Sequence, residues 1–258
     1  MKTLGFTFTP KMRKFYIRKP RKAILVVLSA LLFTTLFSTA LMNSSWATDL
    51  YLVYWMPLEN VSCHYIDHDD DMLASADDLE FPARSVFFHE TSCNGAGLDS
   101  RQACSVESAA RAHPHWSINV LFTAPGTNET LGKSKKLLQE LGNVKFYRIH
   151  LTKYAKGTPL EDFVAKGALN RTRWRISHTS DVLRYLTLFK WGGVYLDLDV
   201  VVAKPFNGLA RNWAARESED SVAAGAMAFS RDRVGRTMAE ATIRFVSDNN
   251  IVYRKPTR

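Results

Sequence analysis

The chain of 258 residues is 46% apolar, 12% aromatic and 23% charged, which excludes a disordered polymer and fits one or at most two globular units. Its net charge of +9 would favour a polyanionic partner, but residues 1–22 hold eight bases (Lys2, Lys11, Arg13, Lys14, Arg18, Lys19, Arg21, Lys22) and no acid. Removing those eight leaves the remainder at +1, too little to neutralise phosphates along a duplex, so nucleic acid is set aside as a partner.

Ala23 to Met42 is a run of 20 residues without charge, Gly or Pro. As a helix it would cover about 30 Å, the thickness of a bilayer's hydrocarbon core. A cleaved signal peptide has a shorter apolar region, so a single transmembrane helix is expected. Eight bases precede it and none follows until Arg84. That asymmetry predicts a type II topology, with the basic tail cytosolic and the rest translocated. Four glycosylation triplets, at Asn43, Asn60, Asn128 and Asn170, lie on the translocated side. Cys63, Cys93 and Cys104 allow one disulfide and one odd thiol, with three pairings open.

Residues 43–82 have little periodicity and read as a lumenal stem. Asp67, Asp69, Asp71 and Asp78 fall at calcium-loop positions, but Met72 stands where that loop needs Gly for its sharp turn. From residue 83 onward the pattern alternates between β and α. Strands are expected at 85–89, 118–123 and 144–149, with helices at 103–113 and 135–141 between them. Such alternation predicts an α/β fold of Rossmann type, a mostly parallel sheet that gathers ligands at the carboxyl ends of its strands. Neither GxGxxG nor GxxxxGK[ST] occurs, which argues against a nicotinamide dehydrogenase and a P-loop enzyme.

Chemistry concentrates between Ser177 and Val202. Val182, Tyr185, Leu186 and Phe189 form the buried stripe of a helix, with Ser180 as its expected N-cap and Gly192 as its stop. Asp181 and Arg184, three residues apart, share another face. Residues 194–202 read as a strand interrupted by Asp197 and Asp199, which would place both carboxylates on one face. Two like charges beside an apolar strand call for compensation, and hard carboxylate oxygens suit Mn²⁺ or Mg²⁺ with positions left for phosphates. By itself an Asp-x-Asp is short and common by chance.

The surrounding run supplies its context. Phe88-His89-Glu90-Thr91-Ser92, then Cys104 to Arg111 with His113-Pro114, then Ser180-Asp181, Arg184, Gly192-Gly193, Tyr195, Asp197 and Asp199 resemble the alpha-1,4-galactosyltransferase and alpha-1,4-N-acetylglucosaminyltransferase family, Golgi membrane enzymes of GT-A fold. The resemblance implies a GT-A-like glycosyltransferase domain at 83–258 and retaining transfer of galactose or N-acetylgalactosamine from a UDP-sugar to a galactose-terminated glycolipid or glycan, with Mn²⁺ as cofactor. It also implies that Asp197 and Asp199 are the catalytic pair holding the metal, and that Asp181, Arg184, Thr91, Ser92 and Tyr195 bind the donor. Members of that family continue past the helix expected at 232–246 with an acceptor-side segment. The domain is therefore expected to be incomplete at its C-terminus, and the alternative is a membrane-tethered lumenal protein that binds UDP-sugar or a partner without catalysis.

Overall fold

A computed structural model describes residues 20–42, 58–67, 69–77 and 79–249. They fall into two compact units, one within Met1–Pro57 and one within Leu58–Arg258. In the first, helix α1 (Pro20–Met42) runs for 23 residues, and its side chains are described for residues 27–39, all exposed. The hydroxyls of Thr34, Thr35, Ser38 and Thr39 donate back to carbonyls of the same helix. Among the described residues, no helix is long and apolar enough to cross a membrane, so the span expected at residues 23–42 is not shown.

The second unit contains β1 (Ala74–Ser75), β2 (Ser85–Glu90), α2 (Ser100–Ala112), β3 (Ser117–Phe122), α3 (Asn128–Gln139) and β4 (Val144–Arg148). Three short helices follow, α4 (Leu151–Ala155), α5 (Glu161–Ala165) and α6 (Ala168–Arg171). The remainder is α7 (Arg175–Trp191), β5 (Gly193–Leu196), β6 (Trp213–Arg216), β7 (Val222–Phe229) and α8 (Arg233–Asn249). The seven strands form one sheet in the order β1-β4-β3-β2-β5-β7-β6. The first five in that order are parallel, and β7 is antiparallel to both β5 and β6.

Parallel strands bury both faces, which is why every residue of β2 is buried, including the apolar run Val86-Phe87-Phe88. Val86 and Phe88 face Val106 and Ala109 of α2, whereas Phe87 faces Val182, Leu183 and Leu186 of α7. The chain builds outward from β2 to β3 and β4 on one side and resumes with β5 on the other. The order therefore reverses between β2 and β5, and in open α/β sheets such a reversal opens a crevice beyond the strands' carboxyl ends.

Two helices start earlier than the sequence predicts. Asp99 caps α2 through a reciprocal box with Gln102, and Thr127 does the same for α3 with Thr130. Gly132 breaks α3 with φ +36, which hides the helical period in the sequence.

Residues 58–82, expected as a stem, instead join the compact unit. β1 pairs with β4, and the Phe81 ring meets Phe87, Tyr147 and Trp191 edge-on at 5.1–5.6 Å. The acidic run finds bases on and after β4. Asp71 pairs with Arg148 at 3.1 Å, and Asp67 pairs with His150 at 2.7 Å and Lys153 at 3.1 Å. These matches are tertiary, so a local reading sees only solvated charge. Asp78 lies outside the described residues.

Arg148 closes this junction. It is fully buried and donates to the carbonyls of Cys63, Ile66, Thr123 and Ile149. Arg148→Met should cost about 3 kcal/mol, because it strands Asp71 and several buried carbonyls at once. Urea unfolding of the variant and the parent measures that loss.

Candidate functional site

Helix α7 delivers its side chains to the crevice through a junction with no spare residues. Gly192 ends the helix with φ +58, its N–H returning to the Leu188 carbonyl at 2.9 Å, and β5 begins at once at Gly193 with φ +93. A Cβ at Gly192 would lie 2.8 Å from the Phe229 carbonyl oxygen, and one at Gly193 would lie 2.8 Å from that of Ser85. Only glycine meets both the conformation and the spacing. The helix starts at Arg175, earlier than the predicted cap at Ser180, because Glu59 accepts the Ile176 N–H at 2.8 Å. Ser180 sits inside the helix, where its hydroxyl accepts from Arg184 at 3.2 Å.

The acidic pair is not on a strand. β5 stops at Leu196, and Asp197 opens a turn in which its N–H donates to the Gly225 carbonyl at 2.7 Å and the Val200 N–H donates to its own carbonyl at 3.0 Å. The chain then leaves the sheet for α2. Ser105 donates its hydroxyl to the Val200 carbonyl, and the Ser108 hydroxyl accepts the Val202 N–H at 2.9 Å. His113, just past α2, accepts the Phe206 N–H at 3.0 Å. Three residues of the 104–113 motif thus hold the exit from the acidic turn, a role that only the tertiary structure reveals.

Arg184 organises the site. Its guanidinium lies 3.0 Å from Asp181 and 3.3 Å from Asp197, and its carbon stands 5.0 Å from the centre of the Tyr195 ring. Burial works against the Arg184 charge, but Tyr195, Asp197 and Asp181 outweigh it and raise its pKa above the ordinary value. It stays cationic. Partial burial raises the Asp181 carboxyl despite Arg184 beside it. Tyr195 is 1% exposed and donates its hydroxyl to Asp197 Oδ1 at 2.6 Å. It therefore fixes a carboxylate rather than lining the crevice. Burial, ahead of any charge effect, pushes the Tyr195 pKa far up, so it remains a donor.

Both donors converge on Oδ1 of Asp197. Its Oδ2 has no hydrogen-bond donor among the described residues, and Asp199 is exposed on the same turn. These are hard oxygen atoms beyond the carboxyl ends of the parallel strands, a donor set that fits a divalent cation of the magnesium and manganese type.

Thr91 and Ser92 follow β2, the strand beside β5, so the structure brings them to the same end of the sheet. Thr91 is buried, and its hydroxyl donates to the Ile176 carbonyl at 3.2 Å. The Ser92 N–H donates to Glu90 at 3.1 Å. Beneath them a disulfide joins Cys63 to Cys93 and leaves Cys104 free and exposed, which selects one of the three pairings. Because their sulfurs are bonded, Cys63 and Cys93 do not form a thiolate metal site with His64.

Two buried histidines support this floor. His64 bonds the Thr91 carbonyl at 2.8 Å, and His89 bonds the Thr187 hydroxyl at 3.0 Å. Burial lowers the His64 pKa to about 4, and burial followed by the Arg184 charge lowers that of His89 to about 3. Both are neutral when folded and protonate near 6.5 when unfolded. Their stabilisation is therefore full above about pH 6.5 and is lost as pH falls toward about 4 and about 3 respectively. Thermal melts should fall between pH 7 and pH 5, and the fall should be smaller in His64→Gln.

Residues 99–219 match the protein family described as glycosyltransferase sugar-binding region containing DXD motif. Human lactosylceramide 4-alpha-galactosyltransferase is 34% identical over 128 residues, covering 48% of this chain and 36% of that protein. The mouse protein of that name is 34% identical over 139 residues, covering 50% and 38%. Human alpha-1,4-N-acetylglucosaminyltransferase is 29% identical over 109 residues, covering 40% and 32%. The match thus spans well under half the length of these curated relatives. Among solved structures, the galactosyltransferase LgtC superposes with a TM-score of 0.42 at 18% identity, over 65% of this chain and 63% of that one. The acidic turn at Asp197 and Asp199 lies within the matched segment, and residues 99–219 of this chain are similar to a DXD-type glycosyltransferase sugar-binding region and to the alpha-1,4-galactosyl- and alpha-1,4-N-acetylglucosaminyltransferases.

Proposed function

We propose that the protein is a retaining glycosyltransferase of GT-A-like fold that moves a hexose, galactose or N-acetylgalactosamine, from a UDP-sugar to a galactose-terminated glycolipid or glycan. One observation carries this reading. The Asp197–Asp199 turn, with Arg184 bridging to Asp181, stands at the reversal point of a parallel sheet inside a segment similar to a DXD-type sugar-binding region.

In this reading Asp197 Oδ2 and Asp199 hold Mn²⁺ or Mg²⁺ together with the donor's diphosphate. The cation, when bound, supplies positive charge to the departing UDP. Arg184 is positioned to meet a phosphate or sugar oxygen with a charge-assisted hydrogen bond. Asp181, whose side chain is 44% exposed, offers an acceptor to a donor-sugar hydroxyl. Thr91 and Ser92 line the nucleotide pocket. Tyr195 acts indirectly, by fixing the direction of Asp197. Retention follows from attack on the face the diphosphate leaves, with the site stabilising charge as the sugar becomes oxocarbenium-like.

We propose further that the enzyme is a single-pass type II protein of the Golgi membrane, spanning at residues 23–42 with its catalytic domain lumenal. Hydroxyls that bond within α1 support this, since a helix in lipid must satisfy its own polar groups. The Cys63–Cys93 bond suits an oxidising lumen. Asn60, Asn128 and Asn170 are all exposed, as attached glycans require.

Purified full chain incubated with Mn²⁺, UDP-galactose or UDP-N-acetylgalactosamine, and lactosylceramide should yield an extended glycolipid. UDP binding with no transfer to any galactose-terminated acceptor would favour the donor-binding protein without catalysis. Asp199→Ala should weaken Mn²⁺-dependent UDP binding by about 100-fold, as loss of a principal charge-stabilising group does. Unchanged affinity by titration calorimetry would remove the metal assignment. Tyr195→Phe should weaken Mn²⁺ binding by about 10-fold, the scale of losing a partner that orients a ligand. Manganese paramagnetic resonance reads that change directly.

A further inference from the structure

Residues 59–64 stand ahead of the sheet and outside the matched segment, yet they touch both halves of the site. Glu59 accepts the Ile176 N–H at 2.8 Å through its carboxylate and an Arg175 N–H at 3.2 Å through its carbonyl. Helix α7 has no side-chain cap of its own, since Trp174 at that position supplies none. Glu59 therefore satisfies one of the exposed N–H groups at the helix start, and its negative charge suits the positive end of the helix dipole.

Five residues later His64, fully buried, bonds the Thr91 carbonyl at 2.8 Å. A carbonyl only accepts, so the proton is on Nε2. Cys63 is bonded to Cys93, two residues past Thr91, and its carbonyl accepts from Arg148 at 2.6 Å. The circuit closes through Ile176, whose carbonyl accepts the Thr91 hydroxyl at 3.2 Å while its N–H is held by Glu59. The loop after β2 and the first turn of α7 are thus fastened to one another and to a common third segment. Asp181 and Arg184 lie on the second and third turns of that same helix.

We infer that Glu59 and His64 are positioning residues of the donor site, setting the distance between the Thr91–Ser92 loop and the helix that carries Asp181 and Arg184. The inference rests on the donor-site reading above, in which loop and helix grip opposite parts of one UDP-sugar. A ligand that bridges two elements is sensitive to their separation, because a displacement of about 1 Å can cost up to about 100-fold. The clamp holds that separation before the ligand arrives.

The test is titration calorimetry of the full chain with UDP and Mn²⁺ at pH 7, at a temperature well below the melting point of every variant. Glu59→Ala and His64→Leu should each weaken UDP binding by about 10-fold, the scale of losing an orienting outer partner. Glu59→Gln keeps an acceptor and His64→Gln keeps a distal N–H, so both should restore most of the affinity. Unchanged affinity in the two truncations overturns the inference. So does a weakening that the conservative variants fail to reverse, which marks general damage. If His64→Leu does not fold, Glu59→Ala and its Gln counterpart decide alone. Absence of UDP binding by the unaltered chain removes the donor-site reading itself, an outcome distinct from equal binding by chain and variants.

Discussion

A single guanidinium shared by two carboxylates governs the arrangement of the crevice. Arg184 is largely buried, and a buried cation persists only where opposite charge and hydrogen bonds offset the loss of water. Asp181 supplies that charge from the same helix, and Asp197 supplies it from the end of β5. The pairing joins an element from one layer to the edge of another. Tyr195 reinforces it beneath the sheet edge, with a hydroxyl that stays protonated and points at Asp197. The acidic turn thus has one anchored member and one open member, Asp199, and only the open one faces water without a protein partner among the described residues.

The α/β alternation and most strands are legible in the amino-acid order, because parallel strands buried on both faces leave short apolar runs such as 86–88 and 120–122. Asp181, Arg184, Thr91, Asp197 and Asp199 were legible as a group, and the fold gathers them at one end of the sheet. What was not legible depends on partners distant in sequence. The strand expected to run to residue 202 stops at Leu196 because hydroxyls on α2 take over the backbone groups that a sheet neighbour would otherwise hold. The helix expected to start at Ser180 starts at Arg175 because Glu59 tends its first turn from more than a hundred residues away. Residues 58–82 looked like solvated spacer because their acids meet Arg148, His150 and Lys153 only after β4 has formed. The resemblance implies donor contact for Tyr195, yet its side chain is buried and holds Asp197 instead.

Two of these corrections have a common cause. Segments that seem featureless in composition carry backbone carbonyls and single polar side chains that terminate helices, hold loops and neutralise buried charge elsewhere. Arg148 is the clearest case, since its donors reach four carbonyls in three separate stretches of chain. Its partners Cys63, Ile66 and Asp71 lie ahead of the matched segment 99–219, as do Glu59 and His64.

The Gly192-Gly193 corner has a mechanical meaning. A long helix and a central strand meet there without a flexible joint, each glycine pressed against another strand's carbonyl. Any axial slide of the helix must therefore drag the strand and its terminal carboxylates along, like the two arms of a bell crank.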